Sequence, residues 1–226
     1  MTEKELLELR EEVSKTRDFY AVSDEFVANL VYNSLSFEHG MGSLDQVESI
    51  LKGDTERCNP TYVTLVLNIK KALDFALELA RSGAELTEDA LKDLHQILMN
   101  DVNRGGLYRN VDISIKGSNH TPCSHIKVYD RMKKYFDTMK DREPSLETIA
   151  YSHLQLAKIH PFLDGNGRCA RLVMNYHLLK AGYAPVTIPI ERKHEYFACL
   201  EAFKVEKDIT PFINFLSELE ETALRG

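Results

Sequence analysis

Apolar positions recur every three or four residues along most of the chain, and this spacing predicts a mainly α-helical protein. Thr2 and Glu5 form a capping box opening a first helix that runs through about Tyr20. Ser23 caps a second helix, with Phe26, Leu30 and Val31 on one face and an end near Gly40. Ser43 and Gln46 suggest another capping box, with Gly53 as the stop. Asn59 and Pro60 read as N-cap and first residue of a longer helix to about Arg81. Thr87 caps a helix carrying Leu91, Leu94, Leu98 and Met99. At Gly105 and Gly106 the pattern breaks. From Leu107 to His120 it alternates: Val111, Ile113 and Ile115 interleave with Asp112, Ser114 and Lys116, and Gly117, Ser118 and Asn119 have turn chemistry. A small β-hairpin is expected there. Helical spacing returns over 128–140, and Pro144 starts a helix that carries Ile149, Leu154 and Ala157 to Ile159. Leu172, Val173, Tyr176 and Leu179 belong to a further helix that Gly182 stops, followed by two more near 192–205 and 211–224. A soft boundary at 82–87 divides an N-terminal helical extension, 1–86, from a core domain over 87–219, with 220–226 as a C-terminal tail.

Composition narrows the classes. The 226 residues carry 28 basic and 35 acidic side chains, a net charge of −7, with no basic stripe, so nucleic-acid binding has no electrostatic footing. The cysteines Cys58, Cys123, Cys169 and Cys199 lie far apart without CxxC spacing, which argues against a zinc site or disulfide framework and for a reduced, cytoplasmic protein. The charged N-terminus lacks an apolar signal region, and no apolar run is long enough for a membrane span.

The chemistry concentrates in twelve residues, His160-Pro161-Phe162-Leu163-Asp164-Gly165-Asn166-Gly167-Arg168-Cys169-Ala170-Arg171. A glycine-rich turn opening a helix presents unpaired backbone N–H groups in positive potential, which suits phosphate. Arg168 and Arg171, three apart, share a helix face and offer forked donors to phosphate oxygens. A carboxylate such as Asp164 beside phosphates needs a cation between them, usually Mg²⁺. A neutral His160 just upstream can take a proton from an attacking hydroxyl. These are the parts for in-line attack on a Mg-bound nucleotide phosphate.

The string resembles the signature of the Fic family of AMP-transferases, H-P-F-x-[DE]-G-N-G-R-x-x-R, and fills all nine specified positions. The resemblance covers roughly 87–219 well and the N-terminal helices more weakly. It implies a helical Fic-type domain with a β-hairpin flap, ATP and Mg²⁺ as co-substrate and cofactor, and a target protein presenting a Ser, Thr or Tyr hydroxyl. His160 would be the general base, Asp164 the metal ligand, and Gly165, Asn166 and Gly167 the anion nest. Asn166 would donate to an oxyanion, Arg168 and Arg171 would contact the outer phosphates, and Phe162 would anchor the loop in the core. Lys116, Gly117, Ser118 and Asn119 match the flap tip beside the nucleotide, and the flap edge would accept the target as an added strand. Tyr196, Phe197 and Leu200 match the adenine pocket, with Lys204 where the family has Asn, a departure that bears on base choice. His120 and His125 are close enough in sequence to test as a surface metal pair.

Residues 33–39 resemble the N-terminal inhibitory helix of one Fic subclass, placed here at about 23–40. Ser34 and Glu38 match its [ST]-x-x-x-E-[GN] pattern and His39 does not. That likeness implies that Glu38 pairs with Arg171, fills the γ-phosphate site and misplaces ATP. The functional expectation is a protein adenylyltransferase with a built-in brake, self-modification and a homodimer among its options. Two alternatives stay open: a Fic-fold enzyme using another nucleotide or phosphodiester donor or removing AMP, and a non-enzymatic nucleotide sensor.

Overall fold

The computed structural model describes residues 3–38, 40, 42–115 and 120–226. Among them it forms ten α-helices and no β-strand: α1 Glu3–Val13, α2 Asp24–Glu38, α3 Leu44–Leu51, α4 Pro60–Arg81, α5 Glu88–Met99, α6 Val128–Lys140, α7 Leu146–Ile159, α8 Asn166–Lys180, α9 Lys193–Glu206 and α10 Thr210–Arg225. Short 3₁₀ turns at His125–Lys127 and Ile190–Arg192 lead into α6 and α9.

The expected caps open four of the ten helices. Ser23 Oγ accepts from the Phe26 N–H, and Ser43, Asn59 and Thr87 side chains accept from the first turns of α3, α4 and α5. Gly182, at φ +86°, ends α8 as expected, with the Tyr183 N–H reaching back to the Leu178 carbonyl. Two boundaries differ. The first helix stops at Val13 rather than near Tyr20, because Ser14 and Thr16 turn their hydroxyls onto the carbonyls of Glu11 and Val13. Ser145, not Pro144, opens α7: its hydroxyl accepts from the Thr148 N–H.

Helix α8 is the axis of the molecule. It packs against α4 on one side and α7 on the other, with α5 and α2 also touching it. Residues on nearly every face of α8 are buried, as expected of a helix surrounded by others. Around this axis α10 joins α7, α9 and α1, while α3 bridges α2 and α4. One continuous apolar cluster runs from Leu6 through the α4, α7 and α8 faces to Leu224. The extension and the motif-bearing half therefore share a core, and α10 continues unbroken through the last residues, with Glu220 and Leu224 buried. No helix among the described residues is long and apolar enough to cross a membrane.

The hairpin expected over 107–120 is not formed among the described residues. Side chains, not a strand ladder, hold the ends of this segment. Arg109, 2% exposed, donates to the carbonyls of His160, Val111 and Cys123. Asp112 accepts from Ser124 Oγ and from the backbone N–H of His125 at 2.6 Å. The alternation shows in burial only in part: Ile113 and Ile115 are half-buried between exposed Asp112 and Ser114, while Val111 is 49% exposed.

Candidate active site

The motif lies in the turn between α7 and α8. His160 ends α7 in the left-handed conformation (φ 53°, ψ 62°), a strained choice for a residue with a Cβ. Neighbours enforce it: its N–H donates to the Leu156 carbonyl and its own carbonyl accepts from Arg109 Nε at 2.9 Å. A long contact of 3.4 Å from Nδ1 to the Ala157 carbonyl favours the proton on Nδ1, which leaves the lone pair on Nε2. Burial first, then the charges of Lys204 and Arg109, push the His160 pKa down to about 4. The imidazole is thus neutral at pH 7.

The turn itself is held from two directions. Asn166, 4% exposed, accepts from the Phe162 N–H through Oδ1 and donates to the Phe162 carbonyl through Nδ2, both at 2.9 Å. Its amide clasps the loop at both ends of the Phe162 peptide unit. Phe162 is buried, as expected of an anchor, and stacks on His95 with ring centroids 3.6 Å apart. His95 donates from Nε2 to the Asp164 carbonyl at 2.9 Å and accepts at Nδ1 from the Gly106 N–H at 3.0 Å. Burial lowers its pKa to about 4, so it stays neutral and keeps both bonds. Gly165 sits at φ +71°, and a Cβ there would meet Met99 Sδ at 2.8 Å.

Helix α8 begins with no side-chain cap of its own. Glu38, from the last turn of α2, fills that place. Its Oε1 accepts from the Arg168 N–H at 3.2 Å and from Arg171 Nη2 at 3.4 Å, and its Oε2 lies 2.6 Å from Arg168 Nε. The closer partner is Arg168, not the expected Arg171. Helix α8 brings the N–H and guanidinium of Arg168 to its mouth together, and the carboxylate takes both. Arg168 is 1% exposed, and none of its guanidinium nitrogens completes a well-angled hydrogen bond, so the 2.6 Å approach is an ion pair with donors to spare. Arg171 also reaches Ser34, through Nε to Oγ at 3.4 Å and Nη2 to the carbonyl at 3.1 Å. Gly167 makes the approach sterically available: a Cβ there would lie 2.9 Å from Glu38 Oε1.

Helix α9 closes another side. Tyr196 is buried, its hydroxyl donating to His153 Nε2 at 2.9 Å, and Leu200 is buried beside it. Phe197, 42% exposed, presents its ring, and Phe37 of α2 packs edge-on against both Tyr196 and Phe197. Lys204 is half-buried, and that burial lowers its pKa. Asp164 is exposed, its Oδ1 accepting from the Gly165 N–H at 2.7 Å. Lys116, Gly117, Ser118, Asn119 and His39 lie outside the described residues. His120 and His125 do not pair: one contacts the Lys158 carbonyl, the other Asp112, and no metal-ligand cluster of three occurs among the described residues.

Sequence reading passed over His95, Arg109, His153 and Lys193. The first three are polar side chains among core positions, which is the signal that marks them. Lys193 gave none; its Nζ donates to the Phe37 carbonyl at 3.2 Å, at the unsatisfied end of α2.

Residues 85–178 match the family model described as Fic/DOC. This stretch is a Fic/DOC domain. The chain is 30% identical over 205 residues to a protein adenylyltransferase Fic of Nematostella vectensis and 27% identical over 207 residues to protein adenylyltransferase fic-1 of Caenorhabditis elegans. Each match covers 86% of this chain, which spans 47% and 40% of those relatives. A Fic-domain signalling protein of Bacteroides thetaiotaomicron superposes with a TM-score of 0.86 at 24% identity, over 98% of this chain and 94% of that one. A C. elegans Fic-1 fragment superposes at 0.84 and 23% identity, over 98% and 69%. IbpAFic2, solved covalently tethered to Cdc42, superposes at 0.57 and 21% identity, over 98% and 71%. These likenesses establish the all-α Fic fold that the periodicity and the motif implied.

Proposed function

We propose that this chain transfers AMP from ATP to a hydroxyl side chain of a protein, its own included, and that Glu38 holds it at rest. The observation that carries this reading is an anion seat filled by a removable anion: the α8 N-terminus and two buried arginines, closed by a carboxylate from another helix, next to a neutral histidine. The names of the relatives support the activity, and IbpAFic2 with Cdc42 supports a protein acceptor. The four unpaired cysteines suit a reducing compartment.

In this reading His160 Nε2 takes the proton from the acceptor hydroxyl. The oxygen forms its bond to the α-phosphorus as the bond to pyrophosphate breaks. With Glu38 withdrawn, the α8 N–H groups, Arg168 and Arg171 hold the outer phosphates through preorganised charge. Asn166, His95 and Arg109 keep the turn in shape. Asp164 fits Mg²⁺, which takes one or two protein carboxylates and leaves its other positions to water and phosphate. The ion, when bound, would offset phosphate charge beside Asp164.

Intact-mass measurement after incubation with ATP and Mg²⁺ tests this. The Glu38→Gly chain gains an AMP adduct and the Glu38→Gly/His160→Ala chain does not; equal adducts on both would sink it. A second reading rests on Lys204. An ammonium only donates, so a base with carbonyl acceptors suits it better than the adenine amine. Transfer from GTP or UTP outrunning transfer from ATP would replace the adenylyl reading with that one.

A further inference from the structure

A second charged cluster lies outside the phosphate seat, and one of its members, Lys204, acts on His160. Lys158 stands two residues before it on α7, and Lys204 and Lys207 stand at the end of α9, which packs on α7. Lys207 caps α9 in the left-handed conformation and donates from Nζ to the Lys204 carbonyl at 2.8 Å. Arg131, exposed on α6, adds its charge from a third helix. His120, at the end of the flap segment, contacts the Lys158 carbonyl at 3.1 Å. The Lys158 ammonium sits 5.3 Å from the centre of the Phe203 ring, which holds it against the surface. Glu201 is the carboxylate that acts on Lys204 and His120.

In a chain of net charge −7, Lys158, Lys207 and Arg131 come from three helices and their charges oppose one another. Burial, then Lys207, Arg131 and Lys204, push the Lys158 pKa down to about 8. A bound anion relieves that repulsion. The donor's outer phosphates already have a seat at α8, so the cluster is left for another anion, with Lys204 linking it to His160.

We propose that Lys158, Lys207 and Arg131 form a docking site for acidic side chains flanking the accepted hydroxyl, so that the acceptors are Asp- and Glu-rich protein segments. This rests on the nucleotidyl-transfer reading for its meaning, though the binding itself is testable without it. Like-signed charge lining a surface raises the local concentration of opposite charge and fades with salt.

The test uses the full Glu38→Gly chain and fluorescein-labelled peptides with one central Thr, flanked by Glu, Gln or Lys. Without nucleotide, anisotropy should show the Glu-flanked peptide binding about ten-fold tighter than the Gln-flanked one, an advantage that added salt erodes. Adding Lys158→Gln, Lys207→Gln and Arg131→Gln should cut that advantage to about two-fold or less. With ATP, the same triple change should raise KM for the peptide and leave KM for ATP alone. Equal binding of the peptides, or an advantage that survives the triple change, would overturn the proposal. So would a rise confined to the ATP KM, which would assign the cluster to the donor. Charge-selective binding with no transfer from any nucleotide keeps the docking site and discards the transfer reading, whereas transfer indifferent to flanking charge does the reverse.

Discussion

His160 already lacks its second proton at neutral pH, because burial and the cations around it depress its pKa to about 4. A base must be neutral to act, so the acid limb of kcat/KM in the Glu38→Gly chain should fall near pH 4. A limb near the ordinary histidine value of 6.5 would contradict this account of its environment. The residues that set up the turn are a separate test. Removing the Asn166 amide by Asn166→Ala leaves the buried N–H and carbonyl of Phe162 without partners, at about 1–3 kcal/mol each. Thermal unfolding should drop by several degrees, and kcat should fall with it. His160 and the arginines were legible because their chemistry is contiguous in sequence. His95 was not: it reaches Asp164 across 69 residues, a pairing that no local pattern encodes.

At the scale of elements, α2 carries the proposed brake. A carboxylate in the last turn of a helix opposes that helix's own dipole, and the N-terminus of α8 reverses the sign. Glu38 is stable where it is because it caps a neighbour. The pattern around Glu38 was readable, and so was a basic partner; that Arg168 would take the closer contact was not, since it depends on how α2 crosses α8. Lys193 adds a second hold by capping the Phe37 carbonyl from α9. Lys193→Ala should therefore raise AMP transfer a few-fold, well short of Glu38→Gly, when label incorporation is compared at saturating ATP. No change would mean that α2 needs only the arginines. The alternating segment over 107–115 shows the opposite lesson. Period two was present in the sequence, yet a strand needs a partner strand, and here Arg109 and Asp112 satisfy the chain instead.

For the whole molecule, two consequences follow from what is buried. His95 and His153 are buried neutral, with pKa lowered from 6.5 to about 4 by desolvation. The unfolded chain binds those protons first, so this stability is complete above about pH 6.5 and is lost as pH falls toward 4, on the order of 3 kcal/mol apiece. Urea midpoints measured between those limits should decline steadily. Glu38 is also the principal counter-charge for Arg168, whose next carboxylate, Asp164, is 3.6 Å away and largely exposed. Glu38→Gly should lower the stability of the nucleotide-free chain by about 2 kcal/mol, or about 4–8 °C in Tm. ATP should restore it, giving a larger ligand-induced shift than in the wild type. An unchanged Tm would mean that the pair is neutral in the resting state. One core shared by both halves makes these effects global, and that shared core was hidden from a reading that divided the chain at 82–87.

The most direct measurement compares ATP labelled at the α-phosphate with ATP labelled at the γ-phosphate, in Mg²⁺, on wild type, Glu38→Gly and His160→Ala. The account predicts label on protein from the α-position alone, weak in wild type, strong in Glu38→Gly and absent in His160→Ala. Label from the γ-position, or α-label that persists without His160 or is indifferent to Glu38, would contradict it.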